Sequence, residues 1–169
     1  MEMDLHNHRY NANGYNEYIY GSAEVVGLMC LKVFCDGDDK EYERLKEPAR
    51  KLGAAFQKVN FLRDMQSDFQ ERGRVYFPGV DFNYFNDHTK REIENEIEKD
   101  FSEALNGIRE LPVKARFGVY VAYIYYQALL SKIKNLPAHE IRHSRVRVPN
   151  KEKFALLFAS WCRFRLKSI

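Results

Sequence analysis

One stripe of polar residues constrains this chain more than any other feature of its sequence. Within the segment from Leu52 to Pro78, polar side chains recur at spacings of 3, 4 and 4, at positions Gln57, Asn60, Asp64 and Asp68. At about 100° per residue, these spacings place all four side chains within roughly 80° of one another around a helix axis. A helix packed in a protein normally buries an apolar stripe. The segment therefore predicts a helix that carries a functional polar stripe among apolar neighbours.

The two carboxylates of this stripe suggest a cation site. Asp64 and Asp68 are one helical turn apart, and Mg²⁺ prefers oxygen ligands at about 2.1 Å while keeping waters that phosphate oxygens can replace. The pair therefore suits a metal-bridged diphosphate. A bare D-x-x-x-D pattern on a helix is more often a solvated acidic face, so the choice depends on the flanking residues.

Length and composition favour a single domain. The 169 residues suffice for one domain with a core, and 12 Phe and 11 Tyr supply apolar surface. A net charge of +3 favours no particular partner. The three cysteines, Cys30, Cys35 and Cys162, match no zinc or redox spacing and are predicted to be reduced thiols of a cytosolic protein. Neither a signal peptide nor an apolar run of about 18 residues is visible.

The remaining chain predicts further helices. They are expected at residues 16–35 with Asn16 as N-cap, in a short helix ending near Lys46, in a long helix with Pro48 in its first turn, and at about 87–111, 112–136 and 150–167. The acidic ladder Glu92, Glu96 and Asp100 lies among many other charges and is interpreted as a solvated face. His6 and His8 are interpreted as a solvated terminal pair.

Residues 139–143 spell HEIRH, which fits the H-E-x-x-H pattern of zinc hydrolases. That motif needs a stable helix presenting both histidines and a third ligand. Because Pro137 precedes it and a basic segment follows, a coincidental spelling is the preferred interpretation, and a metal-dependent hydrolase is the weakest hypothesis. The basic residues of the following segment would by themselves indicate a solvated loop or a weak nucleic-acid patch.

The flanking residues carry a resemblance to a known family. Gln57, Asn60, Arg63, Asp64 and Asp68, followed by Gly73-Arg74-x-Tyr76-x-Pro78, resemble the second aspartate-rich signature of the squalene/phytoene synthase family at every named position. An upstream family pattern, Tyr-x-x-x-x-Ala-Gly-x-x-Gly, is similar at Tyr18, Ala23 and Gly27, although Glu24 stands where the family usually has glycine. Tyr126 and Arg145 match a family tyrosine and a diphosphate-binding arginine.

The resemblance implies an all-α isoprenoid synthase helical bundle and a head-to-head condensation of two allylic isoprenoid diphosphates. It implies Mg²⁺, with Mn²⁺ as an alternative, held by Asn60, Asp64 and Asp68. The implied catalytic residues are Asp64, Asp68 and Tyr126, and the implied substrate contacts are Tyr18, Gln57, Arg63, Arg74, Tyr76 and Arg145. The favoured reaction is phytoene-synthase-like, from geranylgeranyl diphosphate to phytoene, but squalene and dehydrosqualene stay open. No dinucleotide fingerprint indicates NADPH.

The resemblance also predicts that part of the fold is missing. The family has two aspartate-rich helices facing each other across a cavity, whereas this chain has one D-x-x-x-D and only a short polar lead before Tyr18. We therefore expect residues 1–169 to be the C-terminal portion of one such domain, completed by an N-terminal half or a partner chain. The alternative is a catalytically inactive helical remnant that binds prenyl diphosphate or a partner. The expected location is cytoplasmic, with at most peripheral membrane contact, and no nucleic acid is expected.

Overall fold

The computed structural model describes residues 10–166, which fold as an all-α bundle, so the predicted fold class is confirmed. Its helices are α1 (Ala12–Ile19), α2 (Val25–Phe34), α3 (Asp39–Arg72), α4 (Asp87–Glu110), α5 (Val113–Lys134), α6 (Ala138–Ile141) and α7 (Asn150–Arg165). A π-helical turn at Tyr20–Glu24 joins α1 to α2, and a 3₁₀ turn at Phe82–Tyr84 precedes α4. The His6–His8 pair and the predicted helix end at residue 167 lie outside the described residues.

Helix α3 is the longest helix among the described residues, and its length corrects one prediction. The side chain of Asp38 accepts hydrogen bonds from the amides of Lys40 and Glu41, both at 3.0 Å, and so caps one continuous helix of 34 residues. Pro48 lies inside that helix and does not begin a second one. Close packing accommodates the proline ring, because a Cβ added at Gly107 of α4 would lie 2.3 Å from the Cβ of Pro48. The packing between helices thus outweighs the local cost of an interior proline.

The C-terminus of α3 is fixed by the glycine of the GR-x-Y-x-P segment. Gly73 has a φ of 64°, a left-handed conformation that glycine adopts without a steric penalty. The amides of Gly73 and Arg74 donate to the carbonyls of Phe69 and Asp68 at 2.9 and 3.0 Å. This cap places Arg74 directly beyond the turn that carries Asp68.

The first helix begins earlier than predicted and packs unusually close to α3. Its N-cap is Asn11, whose side chain accepts from the amide of Gly14 at 2.8 Å, and not Asn16. A Cβ added at Gly53 would lie 2.5 Å from the carbonyl oxygen of Ala23, and one added at Gly27 would lie 2.7 Å from that of Ala49. These glycines therefore allow the backbones of the π-helical turn and α2 to approach α3.

The acidic ladder of α4 faces α3, so the prediction of a solvated face is wrong at Asp100. Asp100 is only 3% exposed and accepts from Lys58 at 2.6 Å and from Lys51 at 3.0 Å, both on α3. Lys58 also forms an ion pair with Glu96, whose side chain is 51% exposed. The charges that suggested solvation instead join the two longest helices.

Several apolar residues remain exposed on each of two helices of this bundle. On α2 the exposed apolar residues are Val26, Met29 and Val33, and on α7 they are Phe154, Leu157, Phe158 and Trp161. Helix α5, predicted to be buried, is buried at residues such as Tyr123 and Leu130 but exposed at Val113. No described helix combines the length and apolar character needed to cross a bilayer. The three cysteines are free thiols, as predicted.

Candidate functional site

The polar stripe lies on the C-terminal half of α3, where α5 reaches it. The hydroxyl of Tyr126 donates to Oδ1 of Asn60 at 3.3 Å, although the two residues are 66 positions apart in the sequence. The ring of Tyr126 stacks on Phe56 of α3, with ring centroids 4.0 Å apart. Tyr126 therefore lies beside the stripe, where it holds the side chain of Asn60 in a defined orientation.

Asp64 is held by two arginines from different parts of the chain. Arg63 donates from Nε to Oδ1 at 3.0 Å and from Nη2 to Oδ2 at 2.5 Å. Arg145, in the connection between α6 and α7, approaches Oδ1 through its Nε at 2.7 Å. The hydrogen bond to Asp64 raises the pKa of Arg63 above its ordinary value. The fold thus brings together three of the predicted site residues.

Asp68 lies one turn further along α3 and is 9% exposed. Burial raises its pKa above the usual carboxyl range, and the negative charge of Asp64 raises it further. Arg72, whose Nη1 lies 3.1 Å from Oδ1, and Arg74 partly oppose this shift. Additional positive charge near this buried carboxylate would stabilise its ionised form.

The side-chain oxygens of the polar stripe are the type of donor that a magnesium ion prefers. Asn60, Asp64 and Asp68 offer oxygen donors on one side of α3. Within residues 10–166, no group of three or more His, Cys, Asp or Glu side chains could hold a metal ion. An ion at the stripe would therefore complete its coordination with the Asn60 carboxamide, waters or phosphate oxygens.

An apolar cavity of about 620 Å³ lies between α2, α3, α4 and α5. Small and apolar residues form most of its wall, including Ala23, Gly27, Gly53, Phe56 and Val119. Gln57, the first member of the polar stripe, also lines it. The cavity is large enough for a bulky apolar ligand, and Gln57 and Phe56 connect it to the polar stripe.

A second pocket, of about 440 Å³, is basic and is lined by both arginines that contact Asp64. Its lining includes Arg63, Arg145, Arg147 and Lys153, together with Tyr125. Lys153 lies 5.7 Å from the ring centroid of Tyr125. Guanidinium groups that converge in this way suit a phosphate or carboxylate anion. Neither Arg147 nor Lys153 was identified as a site residue from the sequence, because only the fold shows which basic residues of the connection and of α7 line a pocket with Arg63.

Tyr18 and Tyr76 are not placed among the carboxylates. They lie in a buried aromatic cluster in which Tyr76 stacks on Phe61 of α3, with centroids 4.1 Å apart, and Tyr18 packs against both rings. This cluster supports the part of α3 that carries Asn60 and Asp64. As substrate contacts, Tyr18 and Tyr76 stay predictions.

Glu24, the departure from the family pattern, is paired within the fold. Its Oε2 accepts from Nε of Arg50 at 2.6 Å, and the Arg50 guanidinium also lies over the ring of Tyr20. The sequence predicted three alternatives for this carboxylate, namely solvent, a cation partner or the polar site. In the structure the Glu24 carboxylate pairs with a cation, Arg50. Nothing in the sequence spacing of these residues indicates this pairing.

The HEIRH segment does not form the helix that a zinc hydrolase needs. Helix α6 ends at Ile141, so His143 follows the helix and does not share it with His139. Arg142 within the motif donates to the carbonyls of Phe82 and Asn83 at 3.4 and 3.0 Å. The segment therefore docks the connection onto the 3₁₀ turn before α4.

An all-α bundle in which an apolar cavity meets an acidic stripe and a basic pocket is consistent with the isoprenoid synthase fold. The sequence model of the family described as squalene/phytoene synthase matches residues 1–152. The chain belongs to the squalene/phytoene synthase family.

Individual relatives agree with this assignment. The chain is 30% identical to 15-cis-phytoene synthase of Synechocystis sp. over 96% of its length, and 31% identical to phytoene synthase of Arthrospira platensis over 98%. It is 34% identical to 4,4'-diapophytoene synthase of Staphylococcus haemolyticus over 59% of its length. The first two matches span only 55% and 61% of those relatives. The chain thus corresponds to little more than half of each of these two phytoene synthases.

Proposed function

We propose that this chain is the diphosphate-binding, C-terminal part of a head-to-head prenyltransferase in carotenoid biosynthesis. The names of the relatives support a phytoene-synthase-type reaction, with geranylgeranyl diphosphate as the proposed substrate and phytoene as the proposed product. The likeness to a 4,4'-diapophytoene synthase leaves the substrate chain length open.

The observation that carries this proposal is the junction of the apolar cavity with the polar stripe. Gln57 belongs to both, so one ligand can place an apolar chain in the cavity and an anionic head beside the carboxylates. Surrounding the chain with apolar walls would also exclude water from a reactive allylic cation. A prenyl diphosphate has this combination of an apolar chain and a charged head.

One set of site residues is proposed to bind metal and another to bind phosphate. Asn60, Asp64 and Asp68 would hold Mg²⁺, which when bound supplies positive charge that favours departure of the diphosphate. Arg63, Arg74 and Arg145 would bind phosphate oxygens, for which guanidinium groups offer two parallel donors. Tyr126 keeps Asn60 oriented through its hydroxyl, and its ring can stabilise positive charge in the substrate. The donor types and the contacts described above support these proposed roles.

We further propose that additional helices complete the cavity. The exposed apolar residues of α2 and α7 would be covered by helices equivalent to the part of the relatives that this chain does not match. Those helices, in one polypeptide or in a partner chain, would bring the facing D-x-x-x-D. Cytoplasmic location and peripheral membrane contact through α7 stay predictions.

The test is product formation by the chain with and without an upstream half that carries its own D-x-x-x-D helix. Each sample is incubated with Mg²⁺ and geranylgeranyl or farnesyl diphosphate and extracted for C40 or C30 hydrocarbon. We expect product only when both halves are present. Absence of product from a soluble two-half complex would contradict the transferase proposal and favour the inactive remnant. Product from a monodisperse 169-residue monomer would contradict the proposal that further helices are needed.

A further inference from the structure

Asp64 and Asp68 differ in how far their oxygens are already occupied. Both oxygens of Asp64 accept hydrogen bonds from Arg63, and Oδ1 is additionally paired with Arg145 at 2.7 Å. The described ion pair of Asp68 involves only one of its oxygens, Oδ1, with Arg72. We call Arg63 and Arg145 on Asp64 the arginine clamp.

The arginine clamp and a divalent cation compete for the same carboxylate. A metal ligand needs free lone pairs, and a divalent cation is repelled by guanidinium charges a few ångströms away. The two arginines occupy three of the roughly four lone-pair positions of the Asp64 carboxylate, so movement of at least one arginine would strengthen metal binding there. Arg145 is the more mobile candidate, because its side chain is 47% exposed and it lies in the irregular connection between α6 and α7.

A released arginine has a second binding position nearby. Arg63 and Arg145 both line the basic pocket of about 440 Å³, where Arg147 and Lys153 also lie. An anion in this pocket would offer the arginines new acceptors in place of Asp64. Arg63 and Arg145 can therefore pair either with Asp64 or with an anion, depending on which ligands are bound.

We propose that the arginine clamp is a switch that couples metal binding to diphosphate binding. Without ligands, the arginine clamp occupies Asp64 and opposes the binding of metal and the binding of diphosphate. A diphosphate draws the arginines into the basic pocket and frees Asp64 for metal, and metal on Asp64 frees the arginines for phosphate. This coupling is reciprocal, as linkage requires, and it rests on the proposed function of the stripe.

The metal half of the switch is tested with Mn²⁺ as a spectroscopic probe, in the absence of any phosphate. Arg145→Gln removes one arm of the clamp, and Arg147→Gln removes the same charge from the same pocket. Arg147 is a suitable control because, among the described residues, no ion pair involves it. We expect Arg145→Gln to tighten Mn²⁺ binding about tenfold, within the usual range of coupling between sites, and Arg147→Gln to tighten it much less. Arg63→Gln provides a second variant of the clamp.

The phosphate half is tested with inorganic pyrophosphate in the absence of metal. Asp64→Asn releases the clamp, whereas Asp68→Asn removes the same charge one turn away without touching it. We expect Asp64→Asn to bind pyrophosphate severalfold more tightly than Asp68→Asn. Circular dichroism checks that each variant is folded.

Equal effects within each pair of variants would overturn the switch, because charge alone would then explain the affinities. That result would leave the proposed function intact. If the wild-type chain binds neither Mn²⁺ nor pyrophosphate at millimolar concentration, both the switch and the proposed site are wrong.

Discussion

Two acidic ladders in this bundle have the same helical spacing and opposite environments. On α3, Asp64 and Asp68 are one turn apart, and on α4 Glu96 and Asp100 are also one turn apart. Lysines of α3 neutralise these two carboxylates of α4, since Lys58 forms ion pairs with both Glu96 and Asp100. Arginines contact the α3 ladder, and burial and mutual repulsion still raise the pKa of Asp68.

Helical spacing alone therefore does not distinguish a metal site from a structural ion pair. An ammonium group already held between two carboxylates leaves no place for a metal ion and joins two helices. Added positive charge would instead stabilise the ionised form of a buried carboxylate such as Asp68. Substitutions in the two ladders should therefore differ in effect, with loss of turnover expected on α3 and loss of stability on α4.

The largest effect is expected for the α3 ladder in the two-half enzyme. Asp64→Asn or Asp68→Asn removes a charge from the proposed Mg²⁺–diphosphate site and little packing. We expect turnover to fall about a hundredfold or more, as when a preorganised charge-stabilising group is lost, while the circular dichroism spectrum is retained. Near-normal turnover of either variant at low Mg²⁺ would show that the metal assignment is wrong.

The next effect is on stability and concerns the α4 ladder. Asp100→Asn leaves Lys58 buried without its buried charge partner and should lower the free energy of unfolding by about 3 kcal/mol, as for other broken buried ion pairs. Urea denaturation measures this loss. The control is Glu103→Gln, whose half-exposed carboxylate lies 3.6 Å from Lys51 and should change stability by less than about 0.5 kcal/mol. A similar loss in both variants would contradict a specific role for the buried pair.

A smaller effect follows from the raised pKa of Asp68. A carboxyl group whose folded-state pKa lies above its unfolded value binds more protons when folded, so its contribution to stability decreases as the pH rises through that window. Asp68→Asn should therefore be slightly more stable than the wild type at pH 7, and the difference should shrink below the ordinary carboxyl range. Thermal unfolding across this pH range provides the measurement. A variant less stable than the wild type at pH 7 would indicate that the contact with Arg72 outweighs the cost of burial.

The smallest effect is expected at the HEIRH segment. His139→Ala and His143→Ala should leave both turnover and zinc content unchanged, because α6 ends before His143. Elemental analysis of the purified proteins decides the question. Stoichiometric zinc in the wild type that disappears in both variants would support the hydrolase hypothesis.

Much of the fold and part of the site could be predicted from the sequence. The spacing of Gln57, Asn60, Asp64 and Asp68 identified the stripe because helical periodicity is a local property. The all-α class followed from the resemblance. Helix boundaries were less certain, since Pro48 is accommodated only because Gly107 of another helix lies against it.

The partners across helices could not be predicted. Nothing in the sequence shows that Lys58 would meet Asp100, and the acidic neighbours of Asp100 suggested solvent instead. The assignment of Arg145 came from family resemblance, whereas its contact with Asp64 depends on the path of the connection after α6. Such long-range pairs depend on how the helices pack, which a single sequence does not reveal.

Binding of farnesyl diphosphate to the chain, with and without Mg²⁺, tests the contrast between the ladders most directly. Titration calorimetry is performed on the wild type, on the double variant Asp64→Asn/Asp68→Asn, and on Glu96→Gln as the matched change on the α4 ladder. We expect Mg²⁺-dependent binding by the wild type and by Glu96→Gln, and loss of the Mg²⁺ dependence in the double variant. Unchanged Mg²⁺-dependent binding by the double variant, or its loss in Glu96→Gln, would contradict the assignment of the metal–diphosphate site to α3.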